Sequence, residues 1–107
     1  MTDPFYLSPR WIRLRKVILR RDGYVCQYFK RYGKTVEAKT VHHIFPRQEY
    51  PEYEWQAWNL ISLSYEAHMM MHGDGGALTD EGMKLATRVA LRVGIPPPVS
   101  GRGAHQL

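Results

Sequence analysis

The sequence predicts a small α+β domain in which two short strands and a helix form the centre and one further helix flanks them at each end. Three observations predict this class: an amphipathic helical pattern over residues 9–21, two strand-like runs with apolar residues at 35–44 and 60–63, and a second helical pattern from 79 to 93. A chain of 107 residues has room for one such domain and little more.

The N-terminal helix has recognisable start and stop signals. Ser8 can cap it, Pro9 suits the first helical position, and Gly23 can adopt the left-handed conformation that ends it. Apolar residues recur at helical spacing between basic ones, and they are Trp11, Leu14, Ile18 and Leu19. We therefore predict a basic amphipathic helix over 9–21, whose charge is equally consistent with a simple solvated face.

The middle of the chain is predicted from short apolar runs and turn residues. Residues 24–28 are typical of a short strand, and 35–44 of a longer one that ends at Pro46. Residues 47–58 are predicted to form a long loop with room for a helical turn. The strand at 60–63 then leads into the next helix.

Two capped helices follow the second strand. Ser64 can cap a helix that runs through His68 and His72 to the glycines beyond them. Thr79 can cap the C-terminal helix, which Gly94 and the prolines after it end near residue 93. The domain is predicted to span residues 1–95, and the Pro/Gly-rich tail at 96–107 to be disordered.

Charge and cysteine content favour a protein with polyanionic partners and exclude one stabilised by an internal disulfide. The formal net charge of +5 favours polyanionic partners such as DNA, although a small protein can also be basic by chance. The single cysteine, Cys26, excludes an intramolecular disulfide. The sequence shows no apolar signal core and no run long enough to cross a membrane. We expect a cytoplasmic protein with no membrane partner.

Four of the five histidines fall into two pairs. His68 and His72 are four residues apart, so on a helix they would share one face and could bind one metal ion. His42 and His43 are adjacent on a strand and point to opposite faces, which suits a ligand beside a general base. Each pair alone is weak evidence. Together they predict three imidazoles on one metal, with coordination positions left open.

These motifs, taken in order, resemble the HNH endonucleases, whose core is the ββα-metal (His-Me finger) fold. The matching segments are Val41-His42-His43-Ile44-Phe45-Pro46, Asn59-Leu60 and His68-Met69-Met70-Met71-His72. The small phage-type members also resemble this chain at Leu19-Arg20-Arg21-Asp22-Gly23-Tyr24, Cys26-Gln27 and Gly33-Lys34. The resemblance covers roughly residues 5–73 and leaves the C-terminal helix unexplained.

The resemblance implies an activity and a role for each matching residue. It implies metal-dependent hydrolysis of DNA phosphodiester bonds that leaves 5′-phosphate and 3′-hydroxyl ends. His42, His68 and His72 match the metal ligands, and His43 matches the general base. Asn59 matches the residue that braces the loop between the strands. One divalent ion is expected, and three neutral imidazoles suit Zn, Mn, Ni or Co better than Mg.

The chain departs from the family at a second metal site. Many members carry two cysteine pairs that bind a structural zinc, and the matching positions here are Cys26, Phe29, Ser64 and Ala67. With one cysteine of four remaining, no structural zinc is expected. Apolar packing of Phe29 and the C-terminal helix are predicted to brace the fold instead.

Basic residues near the site are expected to hold the DNA backbone. Arg10 and Arg47 are the first candidates and Arg20 and Arg21 the weaker ones, although each could equally be a solvated arginine. With one site and no recognition module, a monomer or weak dimer should nick DNA with low sequence specificity. The resemblance also implies an origin in phages or mobile elements, the cytoplasm of a host cell and phage packaging proteins as partners.

Two other functions compete with a nuclease of this kind. One is a non-catalytic nucleic-acid-binding module that holds a metal only for stability. A structural site is usually closed by four protein ligands, and no fourth ligand is evident here. The other is a toxin-type nuclease, against which the lack of a translocation region argues.

Overall fold

A computed structural model describes residues 3–73 and 76–99, and the order of its elements confirms the predicted α+β class. In chain order the elements are α1 (Pro4–Leu7), α2 (Pro9–Arg21), α3 (Gln27–Arg31), β1 (Thr40–His43), β2 (Leu60–Leu63), α4 (Tyr65–Met71) and α5 (Asp80–Val93). The strands β1 and β2 with helix α4 form the predicted ββα centre, and α2 and α5 flank it.

The sheet consists of β1 and β2 paired antiparallel. Thr40 lies opposite Leu63 at one end, and His43 lies opposite Leu60 at the other. The predicted strand at 35–44 is therefore too long: four of its residues form β1, and Glu37 makes an isolated bridge to Val25.

Helix α2 matches its prediction at both ends. The Ser8 hydroxyl accepts a hydrogen bond from the Trp11 N–H, which satisfies one of the free donors of the first turn. After Arg21 the chain turns through Gly23 and Tyr24, whose φ angles of 64° and 59° are both left-handed. The buried face of the helix packs against the sheet through Trp11, Ile18 and Leu19.

The structure corrects one prediction for the irregular segments and adds a short helix and two turns to them. Residues 24–28 do not form a strand, because α3 begins at Gln27. Helix α1 was not predicted, and it begins where the Asp3 carboxylate accepts a hydrogen bond from the Phe5 N–H. The segment 47–58 contains a 3-10 turn at Pro51–Tyr53, and a second turn follows at Ala57–Asn59.

Helix α4 is shorter than predicted and ends one residue before His72. The Ser64 hydroxyl caps its start by accepting from the Ala67 N–H. His72 has extended backbone angles, φ −122° and ψ 136°, and bridges to Leu78. The prediction that one helix carries both histidines is therefore wrong, since the second lies in extended backbone beyond the helix.

Helix α5 confirms its predicted span. The Thr79 hydroxyl accepts from the Gly82 N–H at its start, and Gly94 ends it with a left-handed φ of 79°. Within the predicted tail, residues 96–99 have neither helix nor strand, and the Val99 N–H donates to the Tyr50 hydroxyl. Residues 100–107 of that prediction lie outside the described residues.

Two apolar clusters pack against the ββα centre. The first, here called the C-terminal core, contains Cys26, Ile44, Phe45, Tyr50, Leu63, Ala67, Met71, Leu85, Ala86, Val89 and Ala90. The second, the N-terminal core, contains Trp11, Ile18, Leu19, Ala38, Val41 and Leu60. Phe29 packs against the C-terminal core, and α5 contributes four of its members. No helix among the described residues is long and apolar enough to cross a membrane.

Candidate metal centre

Three imidazoles meet where β1 passes α4. His42 lies on β1, His68 on α4 and His72 one residue past α4. Each offers a ring nitrogen, and these three nitrogens lie within 4.8 Å of one another. The structure thus brings together the three residues that the sequence analysis assigned as ligands. They are called the histidine cluster below.

The ring nitrogens of the cluster have few hydrogen-bond partners. The Nδ1 atom of His72 lies 3.1 Å from the Gly76 carbonyl oxygen, and because a carbonyl only accepts, Nδ1 carries the proton. This leaves the lone pair on Nε2, which lies 3.3 Å from Nδ1 of His42. Among the described residues, the buried Nε2 of His42 and Nδ1 of His68 have no partner. Buried polar nitrogens of this kind are costly unless something binds them.

Burial favours the neutral form of two of the three imidazoles, those of His42 and His68. The His42 side chain is 1% exposed, and its burial lowers its pKa well below the ordinary value, with His72 and His68 lowering it further. Burial also lowers the pKa of His68, and the neighbouring His72 adds to the effect. Neutral imidazoles have free lone pairs, which is the form that binds a metal ion.

His43 follows His42 on β1 and makes different contacts. Its Nε2 lies 3.1 Å from the Glu54 carbonyl oxygen, so Nε2 carries the proton and Nδ1 holds the lone pair. Its ring stacks on Trp11 with centroids 5.2 Å apart, and Phe5 meets its edge. The side chain is 5% exposed. Burial lowers its pKa, and nearby Arg47 adds to that shift, against the opposing bond to Glu54. The ring is therefore a neutral base held in one orientation.

Asn59 is fully buried, and its side chain bonds the backbone at two points of the loop between the strands. Its Oδ1 accepts from the Phe45 N–H at 2.7 Å, and its Nδ2 donates to the carbonyls of Phe45 and Tyr53 at 3.2 Å each. Tyr53 precedes Glu54, the residue whose carbonyl bonds His43. The Asn59 amide thus fixes the backbone next to the imidazole of His43.

All four histidines line one cavity of about 890 Å³. Of the predicted DNA-binding arginines, Arg47 lines this cavity. Its guanidinium forms ion pairs with Asp3 and with Glu54 (3.4 Å to Oε2) and lies 4.3 Å from the ring centre of Phe5.

The other three predicted arginines do not line the cavity. The Arg10 guanidinium stacks over Trp55 at 4.0 Å, and Arg20 is exposed. Arg21 donates to two backbone carbonyls, those of Ala57 at 2.9 Å and Leu60 at 2.7 Å, and pairs with Asp22.

Arg15 lines the cavity and was not among the predicted DNA-binding residues. It donates to the Lys39 carbonyl at 2.8 Å. The signal was present in the sequence, because Arg15 follows Trp11 by four residues and so shares its helix face.

Comparison with known proteins gave one informative match. Neither a protein-family model nor a curated protein sequence matches the chain. Among solved structures it is similar to an HNH endonuclease of the deep-sea thermophilic bacteriophage GVE2, determined with a manganese ion. The two share 33% sequence identity and a TM-score of 0.60, over 62% of this chain and 72% of the phage protein.

Proposed function

The chain belongs to the HNH endonuclease family, and from this premise we propose that it is a metal-dependent endonuclease that hydrolyses DNA phosphodiester bonds. The observation that carries the proposal is the pairing of two features in one cavity. The histidine cluster offers buried nitrogens without partners, and His43 beside it offers a free Nδ1 lone pair.

The donor set fits a divalent metal ion held by His42, His68 and His72. Three neutral imidazoles suit Mn, Zn, Ni or Co better than Mg, and three protein ligands leave positions open for substrate and water. When bound, such an ion supplies positive charge that stabilises the phosphate oxygens and the departing 3′-oxygen. The manganese ion of the phage protein supports the choice of Mn²⁺ for assays.

His43 is proposed to act as the general base. Its Nδ1 accepts a proton from water, the water oxygen bonds to phosphorus, and the bond from phosphorus to the 3′-oxygen breaks. The 3′-oxygen takes a proton from solvent, which leaves 5′-phosphate and 3′-hydroxyl ends. The bond from Nε2 to the Glu54 carbonyl and the stacking on Trp11 hold the ring for this transfer.

Asn59 and the arginines are proposed to support this reaction from a distance. Asn59 is a positioning residue, since it acts on the loop that orients His43. Arg47 and, more weakly, Arg10, Arg20 and Arg21 would hold the DNA backbone without reading its sequence. A monomer or weak dimer with one site per chain should therefore nick DNA at low specificity. A cytoplasmic role beside phage packaging proteins is the setting that the family resemblance favours.

A plasmid-nicking assay with Mn²⁺ tests the activity. We expect the wild type to convert supercoiled plasmid to the open-circular form, and His43→Ala to lower the rate by about 10²–10⁴-fold. The matched control is His105→Ala, which removes the one histidine outside both pairs. If the wild type with Mn²⁺ cuts nothing, or if His43→Ala cuts as fast as the control, the proposal is wrong.

The same preparation distinguishes the non-catalytic alternative. Titration calorimetry with Mn²⁺ should show one site per chain in wild type and in His43→Ala, and its loss in His68→Ala. Metal binding together with DNA binding, but without cleavage by wild type, would favour a binding module over an enzyme.

A further inference from the structure

The two arginines that line the cavity differ in how their charge is compensated. Arg47 forms ion pairs with two carboxylates, those of Asp3 and Glu54. Arg15 donates instead to a neutral backbone carbonyl, that of Lys39. In the part of the chain that the structure describes, no carboxylate lies within ion-pair distance of Arg15. Its full positive charge is therefore available to the cavity.

The guanidinium of Arg15 also keeps hydrogen-bond donors free. An arginine has five N–H donors in a planar fork, and the recorded bond to Lys39 uses one of its terminal nitrogens. The planar fork matches the geometry of a phosphate, to which arginine often binds with two parallel hydrogen bonds. A cation with free donors at the wall of a nuclease cavity is suited to a DNA phosphate.

The position of Arg15 relative to the histidine cluster indicates which DNA phosphate it would bind. Lys39, which Arg15 contacts, precedes His42 by three residues of extended chain, a distance of about 10 Å. Along one strand of duplex DNA a phosphate occurs about every 3.4 Å of axial rise, so a contact about 10 Å away lies within about three nucleotides at most. A phosphate on Arg15 would therefore flank the scissile one.

We infer that Arg15 is a substrate-binding residue that holds a flanking backbone phosphate of the DNA. The inference rests on the proposed function, and it adds Arg15 to the arginines that the sequence analysis named as DNA contacts. Arg15 acts in binding and does not touch the reacting atoms. Its removal should weaken DNA binding and leave the chemical step unchanged.

The test compares Arg15→Gln with Arg13→Gln, which removes the same charge from an exposed position of the same helix outside the cavity. Binding of a fluorescent DNA duplex is measured by anisotropy across a range of salt concentrations. Both variants also carry His43→Ala, so that the duplex is not cleaved during the measurement. We expect Arg15→Gln to raise Kd about tenfold, as for loss of a charged hydrogen bond. The slope of log K against log salt should fall in magnitude by about one, whereas Arg13→Gln should change neither quantity comparably.

Cleavage kinetics and a conservative variant complete the test. With His43 restored, Arg15→Gln should raise KM about tenfold and leave kcat within about twofold. Arg15→Lys keeps the charge, so the slope of log K against log salt should equal that of the wild type. This variant also keeps the inference testable if Arg15→Gln fails to fold. Equal effects of Arg15→Gln and Arg13→Gln, or a lowered slope in Arg15→Lys, would overturn the inference. Failure of the wild type to cut would count against the proposed function, while the binding measurement would still decide the role of Arg15.

Discussion

Helix α4 contributes to two different regions of the molecule. Ala67 and Met71 belong to the C-terminal core, whereas His68 and the adjacent His72 belong to the histidine cluster. The first region is made mainly of aliphatic and aromatic side chains that are satisfied by contact with one another. The second contains buried ring nitrogens that lack partners among the described residues. The two regions share one helix but differ in what they require.

The difference between the two regions suggests separate roles: the C-terminal core stabilises the fold, and the histidine cluster is proposed to serve the chemistry. Cys26, Phe29, Ser64 and Ala67 stand where many family members carry zinc-binding cysteines, and Cys26, Phe29 and Ala67 belong to the C-terminal core or pack against it. Ser64 has become the cap of α4. The positions that match the zinc cysteines thus lie in or beside an apolar packing region, and the histidine cluster is the region proposed to bind a metal.

The largest effect is expected from a cavity in the C-terminal core. Leu63 is fully buried there, so Leu63→Ala should lower the free energy of unfolding by about 2–5 kcal/mol. Urea unfolding monitored by circular dichroism measures the loss. At temperatures where the variant is folded, its affinity for Mn²⁺ should stay within about twofold of wild type. A large drop in metal affinity would show that the two regions are not independent.

The next effect comes from the metal itself. At a hundredfold excess over Kd, Mn²⁺ should stabilise the folded state by about 2.7 kcal/mol, a rise in Tm of about 10 °C or more for a domain of this size. His68→Ala should abolish the rise, and His105→Ala should retain it. Wild type treated with a chelator should keep its far-ultraviolet spectrum. Unfolding on chelation would mean that the metal, and not the C-terminal core, holds the fold.

The smallest of the three effects comes from the contact between α5 and the end of α4. A Cβ at Gly82 would lie 2.5 Å from the Met71 carbonyl oxygen and 2.8 Å from a Leu78 methyl group. Gly82→Ala should therefore lower the free energy of unfolding by about 1–3 kcal/mol and, by shifting His72, also weaken metal binding. Arg88→Ala, at an exposed position of the same helix, should change neither measurement. Full metal affinity in Gly82→Ala would show that α5 does not position the ligand.

The parts of the fold that the sequence predicted are those with local signals. Ser8, Ser64 and Thr79 each bond the first turn of a helix, and these caps can be recognised without knowing what the helix packs against. Helix α3 was missed because Tyr28 and Phe29 favour strands locally, while packing against the C-terminal core decides otherwise. Helix α1 has four residues, too few for a periodic pattern.

The site was predicted in part for the same reason. The motif spacing selected the three histidines that the structure brings together. It did not show that His72 would lie in extended backbone, because that depends on its bridge to Leu78. Arg47 was named as a DNA contact without its ion pair to Asp3, since the two residues are far apart in the sequence. The sequence shows that Arg15 shares a helix face with Trp11. Its place in the cavity could be predicted only by knowing that this face of α2 packs beside β1.

The extended backbone at His72 couples metal occupancy to local opening. Next to it, the Gly73 N–H bonds the Ala77 carbonyl and the Thr79 N–H bonds the Met71 carbonyl, and both bonds must break before these amide hydrogens can exchange with solvent. An ion that binds only the closed arrangement reduces the open population in proportion to its occupancy. Exchange at Gly73 and Thr79 is therefore expected to slow as the proposed metal site fills, so these two amides would report metal occupancy without any DNA present.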